Sequence, residues 1–416
     1  MKALPFESIL KAEERVRSYI IETPLLQSFK LQKILGWDAP VFLKVETLQF
    51  TGSFKVRGAA NKILSLVEQG KKPAHVVASS AGNHAQAVAF IAEQLNIPAT
   101  IVMPEGAPLV KVKSTEEYGA NVVLHGAIYD QAYERAQELL GTIQDSVFIH
   151  PYEDAEIIAG QGTLGIEVMR QLSQFNVDPS SCDYIVPIGG GGQFGGFGSA
   201  VKSQHPKARF FGVVADAAPS MAHSFQNKKL TLSDSRARTL AEGLSVKKPT
   251  QTMFELVSCL AQEVGVVTDE NISQAIFLLM EKLKLVVEGA GAAGVAAVLC
   301  HKIQASKDRP LVFSLCGGNI DLPKISNIIE RGLHLEKRWL RLQLRIEDRP
   351  GELSRVTHVL GQSRASVLEV IHDRLSLEAA PGETLLNIHL EARGEEHAQQ
   401  IVLALKEAGY HVKVVD

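Results

Sequence analysis

Up to about residue 330 the chain repeats one pattern: a short apolar run, a turn containing glycine, and a stretch with helical spacing such as residues 83–95. The apolar runs are rich in Val, Ile or Phe and are bounded by Gly, Pro or Ser, which is typical of buried strands. The predicted strands are residues 75–79, 99–103, 121–124, 184–188, 210–214 and 311–315. Because strands alternate with helices, we expect an α/β fold with mostly parallel sheets, whose ligands bind at the carboxyl ends of the strands.

The last eighty or so residues follow a different pattern. Apolar positions that alternate with polar ones predict strands, and spacing of three to four residues predicts helices between them. The predicted strands are 340–346, 367–373, 386–390 and 412–414, and the predicted helices lie at about 353–360 and 398–405. The resulting order, β-α-β-β-α-β, is the ferredoxin-like arrangement. The charged residues 336–338 are the predicted linker to this second region.

Composition narrows the class of protein. Hydrophobic residues make up 45% and charged residues 21% of the 416, which predicts a soluble globular protein of two or three domains. The net charge of −3 favours neither nucleic acid nor anionic membrane as a partner, and no apolar run approaches the ~20 residues of a membrane span. The four cysteines are scattered, so we expect no disulfide framework, no zinc site and a reducing cytoplasm.

A lysine between small residues and an aromatic ring occurs in residues 51–59 (TGSFKVRGA). Lys55 is a candidate Schiff-base lysine, because that chemistry needs a primary amine kept partly from water. Phe54 could pack near a flat cofactor ring. The alternative is a surface lysine at a helix start, and this motif alone does not decide between the two.

Four consecutive glycines, followed by Gln-Phe-Gly-Gly, come directly after a predicted strand. Such a run lets several backbone N–H groups converge on one phosphate at the positive end of the next helix, and it is hard to explain by structure alone because glycine costs backbone entropy. A competing pattern exists, since Gly190, Gly192 and Gly195 also match G-x-G-x-x-G with Asp216 downstream, which would indicate a dinucleotide fold.

Three further motifs follow strands or open helices. Residues 79–86 (SSAGNHAQ) offer N–H groups and hydroxyls suited to a carboxylate, and Asn83 offers an amide for a phenolic oxygen. Cys316, before Gly-Gly-Asn, could face a ring nitrogen as a neutral partner, or could be an ordinary buried cysteine. Glu288 enters a helix of small residues, where a carboxylate also interacts favourably with the helix dipole.

Taken together, the five motifs resemble the fold-type II pyridoxal-phosphate (PLP) enzymes, specifically the group of threonine dehydratases (threonine ammonia-lyases) and serine racemases. The resemblance covers the whole chain, including residues 23–25 (TPL), 43–46 (LKVE) and 157–163 (IIAGQGT), and the C-terminal region resembles an ACT-type ligand-binding domain. It implies a catalytic domain of two open twisted α/β subdomains over residues 1–333, the smaller at about 50–150, and a regulatory domain over 338–416.

The resemblance also implies roles for individual residues. Lys55 would carry PLP through a Schiff base, Phe54 would pack on the pyridine ring, Asn83 would bond the ring hydroxyl, and Cys316 would face the pyridine nitrogen. The phosphate would lie in the cradle of Gly189, Gly190, Gly191 and Gly192. The residues expected to hold the substrate carboxylate are Ser80, Gly82, Asn83 and His84.

Within this group the residues favour elimination. Racemases carry a serine that protonates the far face of Cα where this chain has Ala81, and the acidic metal ligands of relatives map to Val214 and Ser220, so no metal is expected. Gln193 and Gly289 also depart from the usual pattern. We therefore expect dehydration and deamination of L-threonine, and of L-serine, to 2-oxobutanoate or pyruvate plus ammonia.

Several alternatives share these motifs. A serine racemase or a 3-hydroxyaspartate ammonia-lyase would use nearly the same residues, the glycine pattern alone would allow an NAD-binding oxidoreductase, and an inactive core would leave the C-terminal region as a sensor. In relatives such C-terminal domains bind amino acids, often a branched-chain end product, although a dimerisation role is the simpler structural explanation. A homo-oligomer with a small-molecule amino-acid substrate is expected.

Overall fold

We describe a computed structural model of the chain, which covers residues 3–232, 238–246 and 248–415. The contacts divide it into two compact units, residues 1–320 and 321–416. The helix Leu322–Leu335, just before the charged residues 336–338, therefore belongs to the second unit. The domain boundary expected from the sequence, at residue 333, lies near the end of this helix. No helix in the described ranges is both long and apolar enough to cross a bilayer.

The larger sheet of the first unit has six strands, in the order β1-β2-β10-β7-β8-β9. Only the β1–β2 pair is antiparallel. The central strands are buried along their whole length, which explains why their sequences are continuous apolar runs. The strands are β1 (Leu25–Gln27), β2 (Val41–Val45), β7 (Asp183–Pro187), β8 (Arg209–Ala215), β9 (Ala261–Val267) and β10 (Leu311–Leu315).

The smaller sheet of this unit is four-stranded and fully parallel, in the order β5-β4-β3-β6. Its strands all lie between residues 75 and 148, within the range of about 50–150 that the resemblance gives to a smaller subdomain. Its strands are β3 (His75–Ser79), β4 (Ala99–Met103), β5 (Asn121–Leu124) and β6 (Ser146–Phe148). The two sheets, whose strands are mostly parallel, make this unit an α/β fold, as the alternating pattern predicted.

Helices connect the strands of both sheets. Local sequence signals define several of their ends: the Asp154 side chain accepts hydrogen bonds from the first turn of α7, and Thr268 forms a capping box with Asn271 at α11. The helices are α1 (Phe6–Val16), α2 (Phe29–Leu35), α3 (Lys55–Glu68), α4 (Asn83–Gln94), α5 (Leu109–Glu116), α6 (Tyr129–Thr142), α7 (Ala155–Gln174), α8 (Gly192–Gln204), α9 (Ser220–Asn227), α10 (Gln251–Leu260), α11 (Asp269–Leu283) and α12 (Gly289–Leu299).

The second unit begins with α13 (Leu322–Leu335) and continues as β11 (Trp339–Glu347), α14 (Glu352–Gln362), β12 (Ser366–Asp373), β13 (Glu383–Glu391), α15 (Glu395–Glu407) and β14 (His411–Val415). Its sheet is antiparallel in the order β12-β13-β11-β14. The alternating apolar residues of β11 and β13 form a core with α14 and α15. The β-α-β-β-α-β order predicted from the sequence is confirmed.

Candidate active site

Four loops at the carboxyl ends of strands meet in the first unit. They follow β2, β3, β7 and β10, and they carry the lysine, the Asn83 segment, the four glycines and Cys316. Two of them are joined directly: the Phe54 N–H donates to the Cys316 carbonyl at 3.0 Å, and the Gly318 N–H donates to the Gly52 carbonyl at 2.9 Å. The lysine and Cys316 motifs, which are far apart in the sequence, therefore lie side by side at the carboxyl ends of their strands, where parallel sheets bind ligands.

Lys55 is the first residue of α3, and its Nζ donates a hydrogen bond to the carbonyl oxygen of Pro151 at 2.8 Å. The same nitrogen lies 5.3 Å from the centre of the Phe54 ring. Burial lowers the pKa of Lys55 from 10.5 to about 8, against the opposing influence of Cys316 and Glu288. An amine with this pKa is neutral in about a tenth of molecules at pH 7, far more than a lysine in water, and a Schiff-base lysine requires this neutral form.

Asn83 is the first residue of α4 and takes part in a chain of side-chain amides. Its Nδ2 donates to Glu288 Oε1 at 2.7 Å, and its Oδ1 accepts from Asn319 Nδ2 at 2.8 Å. Asn319 also donates to the carbonyl oxygen of Thr51 at 2.8 Å. The amide of Asn83 is thus held on both sides, beside the helix that begins at the lysine.

The four glycines lead from β7 into the start of α8. Gly191 has φ of +93°, a conformation that favours glycine, and a Cβ on Gly190 would lie 2.2 Å from the Tyr152 ring. A Cβ on Gly189 would lie equally close, 2.2 Å, to the Gly243 carbonyl oxygen. Close approach on both sides requires glycine, and the loop presents its backbone at the positive end of a helix, as a phosphate site would need.

Cys316 follows β10 and is buried. Burial, and then the neighbouring Glu288, raise the pKa of the Cys316 thiol well above its usual value. A thiol that stays neutral can neither hold a proton on a ring nitrogen as a carboxylate would nor act as a thiolate nucleophile. This fits the neutral partner that the resemblance implied.

The residues predicted to hold the substrate carboxylate differ in what they offer. Ser80 and Gly82 lie in the turn between β3 and α4, where the Gly82 N–H donates to Ser80 Oγ at 3.2 Å and Gly82 faces open space. His84 is buried, its Nε2 lies 2.8 Å from the Ile149 carbonyl oxygen, and burial lowers its pKa to about 3. The imidazole is therefore neutral and already bonded, so His84 would contribute its backbone N–H, which has no acceptor within the first turn of the helix.

Sequence reasoning gave no individual role to three hydroxyl groups around the same site. Three buried hydroxyl groups next to the predicted motifs have no hydrogen-bond partner among the described residues. Buried polar groups are usually paired, so unpaired ones beside a candidate site indicate bonds to a bound molecule or water. They belong to Thr51, Ser53 and Ser79. The first two were visible in the sequence only as small residues flanking the lysine.

Two departures from the family pattern are explained by packing. The Gln193 amide is buried and donates to Ser314 Oγ at 2.8 Å, so it ties α8 to β10. A Cβ on Gly289 would lie 2.6 Å from the Leu240 carbonyl oxygen.

The positions to which the metal ligands of relatives map are Val214, which lies in β8, and Ser220, which begins α9. No group of three or more His, Cys, Asp or Glu side chains in the described ranges is placed to hold a metal ion.

The donor set fits pyridoxal phosphate. It combines a desolvated primary amine at Lys55, a glycine cradle at a helix start, an amide at Asn83, a neutral thiol at Cys316 and unpaired hydroxyls. The amine would hold the aldehyde carbon, the glycine loop the phosphate, and the amide and thiol the two edges of the ring. The family model for pyridoxal-phosphate dependent enzymes matches residues 16–317, and the chain belongs to this family.

Within the family, the chain is similar to one group of enzymes. It is 40% identical to the L-threonine ammonia-lyase of Geobacter sulfurreducens over 415 residues, which covers 99% of this chain and 100% of that protein. The crystal structure of a threonine deaminase from T.th. matches with a TM-score of 0.70 at 35% identity, covering 76% of this chain and 98% of that one. Maize serine racemase matches with a TM-score of 0.71 at 32% identity, covering 80% and 99%.

Proposed function

We propose that this protein is an L-threonine ammonia-lyase. It would eliminate the β-hydroxyl of L-threonine, and of L-serine, as water, and hydrolysis of the released product by water would free ammonia and give 2-oxobutanoate or pyruvate. The 40% identity to an enzyme of this name over nearly the whole chain supports the proposal. The observation that carries the choice of reaction is Ala81, in the turn before α4, which supplies no proton for racemisation.

Bound pyridoxal phosphate supplies an electron sink for the bond broken at Cα. Lys55 is the base in this proposal: its Nζ, once neutral, takes the Cα proton, and its pKa of about 8 places it close to neutral pH. The same amine, now protonated, stands ready to deliver a proton to the departing hydroxyl oxygen. Pro151 holds the amine through its carbonyl oxygen, 2.8 Å away, in the free enzyme.

The other groups of the site would bind and orient the cofactor and the substrate. Backbone N–H groups of Gly190 to Gly192, at the start of α8, would hold the phosphate. The N–H groups of Asn83 and His84, together with Ser80, would hold the substrate carboxylate at the start of α4. The Cys316 thiol, which stays neutral because burial raises its pKa, would face the ring nitrogen. Such a site favours prompt loss of the β-hydroxyl over a long-lived carbanion.

The deciding experiment measures keto-acid and ammonia release from L-threonine, L-serine and 3-hydroxyaspartate, with chiral analysis of the remaining amino acid. We expect 2-oxobutanoate from L-threonine and no D-isomer from the wild-type enzyme. The Ala81→Ser variant restores a hydroxyl at the racemase position and should yield measurable D-serine. Wild-type protein that forms D-serine as fast as pyruvate, or that acts only on 3-hydroxyaspartate, would replace this proposal with one of the two alternatives.

The proposal extends to the second unit, which we take to bind an amino-acid effector. Two observations support it: the ferredoxin-like order of β11 to β14, and the relative in which the match continues through this region. Isothermal titration of the full-length protein with isoleucine, valine and threonine, in the presence and absence of a substrate analogue, tests it. Heat of binding that survives blockage of the first unit would support a regulatory site. Absence of heat with all three would contradict an effector of this kind.

A homo-oligomer in the cytoplasm, with no nucleic-acid or membrane partner, completes the proposal. Sedimentation of the purified protein measures the subunit number directly. A single species at the mass of one chain, 45.2 kDa, would contradict the oligomer.

A further inference from the structure

Glu288 immediately precedes α12, yet its side chain does not cap that helix. It occupies the N-cap position and makes no side-chain capping bond. Its Oε1 instead accepts a hydrogen bond from Asn83 Nδ2 at 2.7 Å, from a residue 205 positions earlier in the chain. A carboxylate at an N-cap usually accepts from the first turn of the helix, so this orientation must serve the contact with Asn83.

The direction of the amide chain is fixed at its far end. The carbonyl oxygen of Thr51 can only accept, so the nitrogen of Asn319, 2.8 Å away, must face it. Two acceptors remain for the second hydrogen on that nitrogen, and Asn83 Oδ1 at 2.8 Å is nearer than Gln86 Oε1 at 3.3 Å. The oxygen of Asn83 is therefore used, its nitrogen faces Glu288, and one N–H hydrogen of that nitrogen is left over.

Two glycines leave the space that this row of hydrogen-bonded side chains needs. A Cβ on Gly317 would lie 2.3 Å from Glu288 Oε1 and 3.1 Å from Asn83 Nδ2. A Cβ on Gly52 would lie 2.4 Å from Asn319 Oδ1. The backbone also holds the acidic end in place, because the Glu288 N–H donates to the Gly317 carbonyl oxygen at 3.0 Å.

We propose that Glu288 is a positioning residue of this site: it holds the Asn83 amide so that its remaining N–H hydrogen faces the ring oxygen of the cofactor. The inference rests on the assignment of Asn83 to that oxygen. A carboxyl group is the right partner for this purpose because it accepts and does not compete as a donor when ionised. An amide held on both sides also loses little freedom when the cofactor binds.

The charges around Glu288 connect it to the lysine. Burial raises the pKa of Glu288 to about 7, whereas the Asn83 hydrogen bond, Lys111 and Lys55 lower it and Glu242 raises it. In return, Glu288 raises the pKa of Lys55, after burial and Cys316 in order of influence. Removing the charge of Glu288 should therefore lower the pH at which Lys55 loses its proton.

A double-mutant cycle on cofactor binding tests the positioning role. The apo-enzymes of the wild type, Glu288→Ala, Asn83→Ala and the double variant are titrated with pyridoxal phosphate, and the dissociation constant is read from the visible absorption. We expect each single variant to bind about tenfold more weakly, the effect of one hydrogen bond to a charged or polar group. The double variant should bind no more weakly than Asn83→Ala alone, because the two residues act as one unit.

A second readout measures the charge effect and needs no turnover. The rate at which apo-enzyme takes up the cofactor is followed against pH, since uptake requires the neutral amine of Lys55. Glu288→Gln keeps an acceptor for Asn83, so its cofactor affinity should stay within about threefold of the wild type. Its pH midpoint should fall, on the order of half a pH unit. Glu263→Gln is the matched control, because that carboxylate accepts the Gln304 N–H at 2.9 Å in β9, away from the site.

The outcomes separate this inference from the proposed function. If Asn83→Ala binds the cofactor as the wild type does, the assignment of Asn83 is wrong and the inference is lost with it. In a second outcome, Asn83→Ala weakens binding while the double variant loses the full effects of both single variants. In that case Asn83 keeps its role, and Glu288 does not act through Asn83. Should Glu288→Ala not fold, an unchanged midpoint in Glu288→Gln overturns the inference by itself.

Discussion

Lys111 on α5 forms an ion pair with Glu242, in the short helical turn Glu242–Leu244. The Lys111 side chain is 12% exposed and that of Glu242 is 48% exposed. The next residue, Gly243, packs its carbonyl oxygen against Gly189 of the glycine loop. The pair therefore links α5 to the segment that packs against the glycine loop, and both charges act on Glu288.

Charge reversal tests this link. Lys111→Glu places two carboxylates together, which should open the contact and raise the KM for the amino acid several-fold, about three- to tenfold at low salt. Combining it with Glu242→Lys restores opposite charges and should recover most of the loss. Steady-state kinetics at two salt concentrations measure both effects. A double variant as impaired as the single one would show that the link has no part in substrate binding.

Lys55→Ala should abolish turnover, since no other described group replaces its amine at the reacting carbon. We expect a loss of at least about a thousandfold in kcat, typical for removal of a nucleophilic or basic group. Lys62→Ala is the matched control on the same helix, where that lysine pairs with Asp154 at 2.6 Å outside the site. Keto-acid assays on cleanly purified protein compare the two. Substantial turnover by Lys55→Ala would remove the assigned role.

The pKa of Lys55 predicts a pH dependence for cofactor uptake. Burial lowers this pKa to about 8, so the reactive neutral amine increases as the pH rises through 8 and is scarce below 7. The uptake rate of apo-enzyme, followed by stopped-flow absorption, should rise with a midpoint near pH 8. A lysine in water would give a midpoint near 10.4. A measured midpoint above 10 would show that the amine is not desolvated.

Much of the architecture was predictable because its signals are local. The strands predicted at 75–79, 99–103, 121–124 and 311–315 have the same bounds in the structure. Apolar runs rich in β-branched residues and bounded by turn residues need no tertiary information. The family prediction is also confirmed, and it depended on the combination of five motifs rather than on any one of them.

The competing dinucleotide pattern shows where local signals fail. The glycine loop does lie between the parallel strands β7 and β8 and opens α8, as a dinucleotide site would require. A glycine loop at a helix start binds phosphate in either class, so the motif cannot tell one cofactor from the other. The class of cofactor is indicated instead by Lys55, which lies in the connection after β2 rather than in the one after β7.

Contacts between distant residues could not be read from the sequence. Glu288 showed only as a residue at a helix start, and its bond to Asn83 depends on how two loops meet. His84 was predicted from its motif to hold substrate, and nothing local indicated that its ring would be buried against Ile149. Arg57 stood beside the lysine as one more basic residue, although its side chain is fully buried. Such features depend on contacts between residues that are far apart in the sequence.

Gly190→Ala should weaken cofactor binding without unfolding the protein. Its Cβ would meet the Tyr152 ring at 2.2 Å, so the ring or the loop must move, and the N–H groups of the loop lose their alignment. We expect a dissociation constant for pyridoxal phosphate at least about tenfold higher, equal to about 1.4 kcal/mol. Gly141→Ala in α6, where the added Cβ meets nothing within 4 Å, is the control. Unchanged cofactor affinity in Gly190→Ala would contradict the cradle.

Arg57 anchors a buried group of charges next to the lysine. Its guanidinium bonds Glu46 and Glu167, each at 2.7 Å, and Lys44 bonds Glu167 at 2.6 Å. Removing one partner leaves a carboxylate buried without compensation, so Arg57→Met should lower the free energy of unfolding by about 3–5 kcal/mol. Arg170→Met removes the exposed pairs with Glu13 and Glu22 and should cost less than about 1 kcal/mol. Urea unfolding of the holo-enzymes measures both.

The same group predicts how stability depends on pH. Burial raises the pKa of Glu46, but the charge and hydrogen bonds of Arg57 outweigh it and hold the pKa below its ordinary value of 4.5. A carboxyl whose pKa is lower in the folded state stabilises the fold above the unfolded pKa and loses that contribution as the pH falls through the folded one. The gap in stability between wild type and Arg57→Met should therefore narrow as the pH drops below about 4.5. A gap that stays constant down to pH 3 would show that Arg57 acts through packing rather than through its charge.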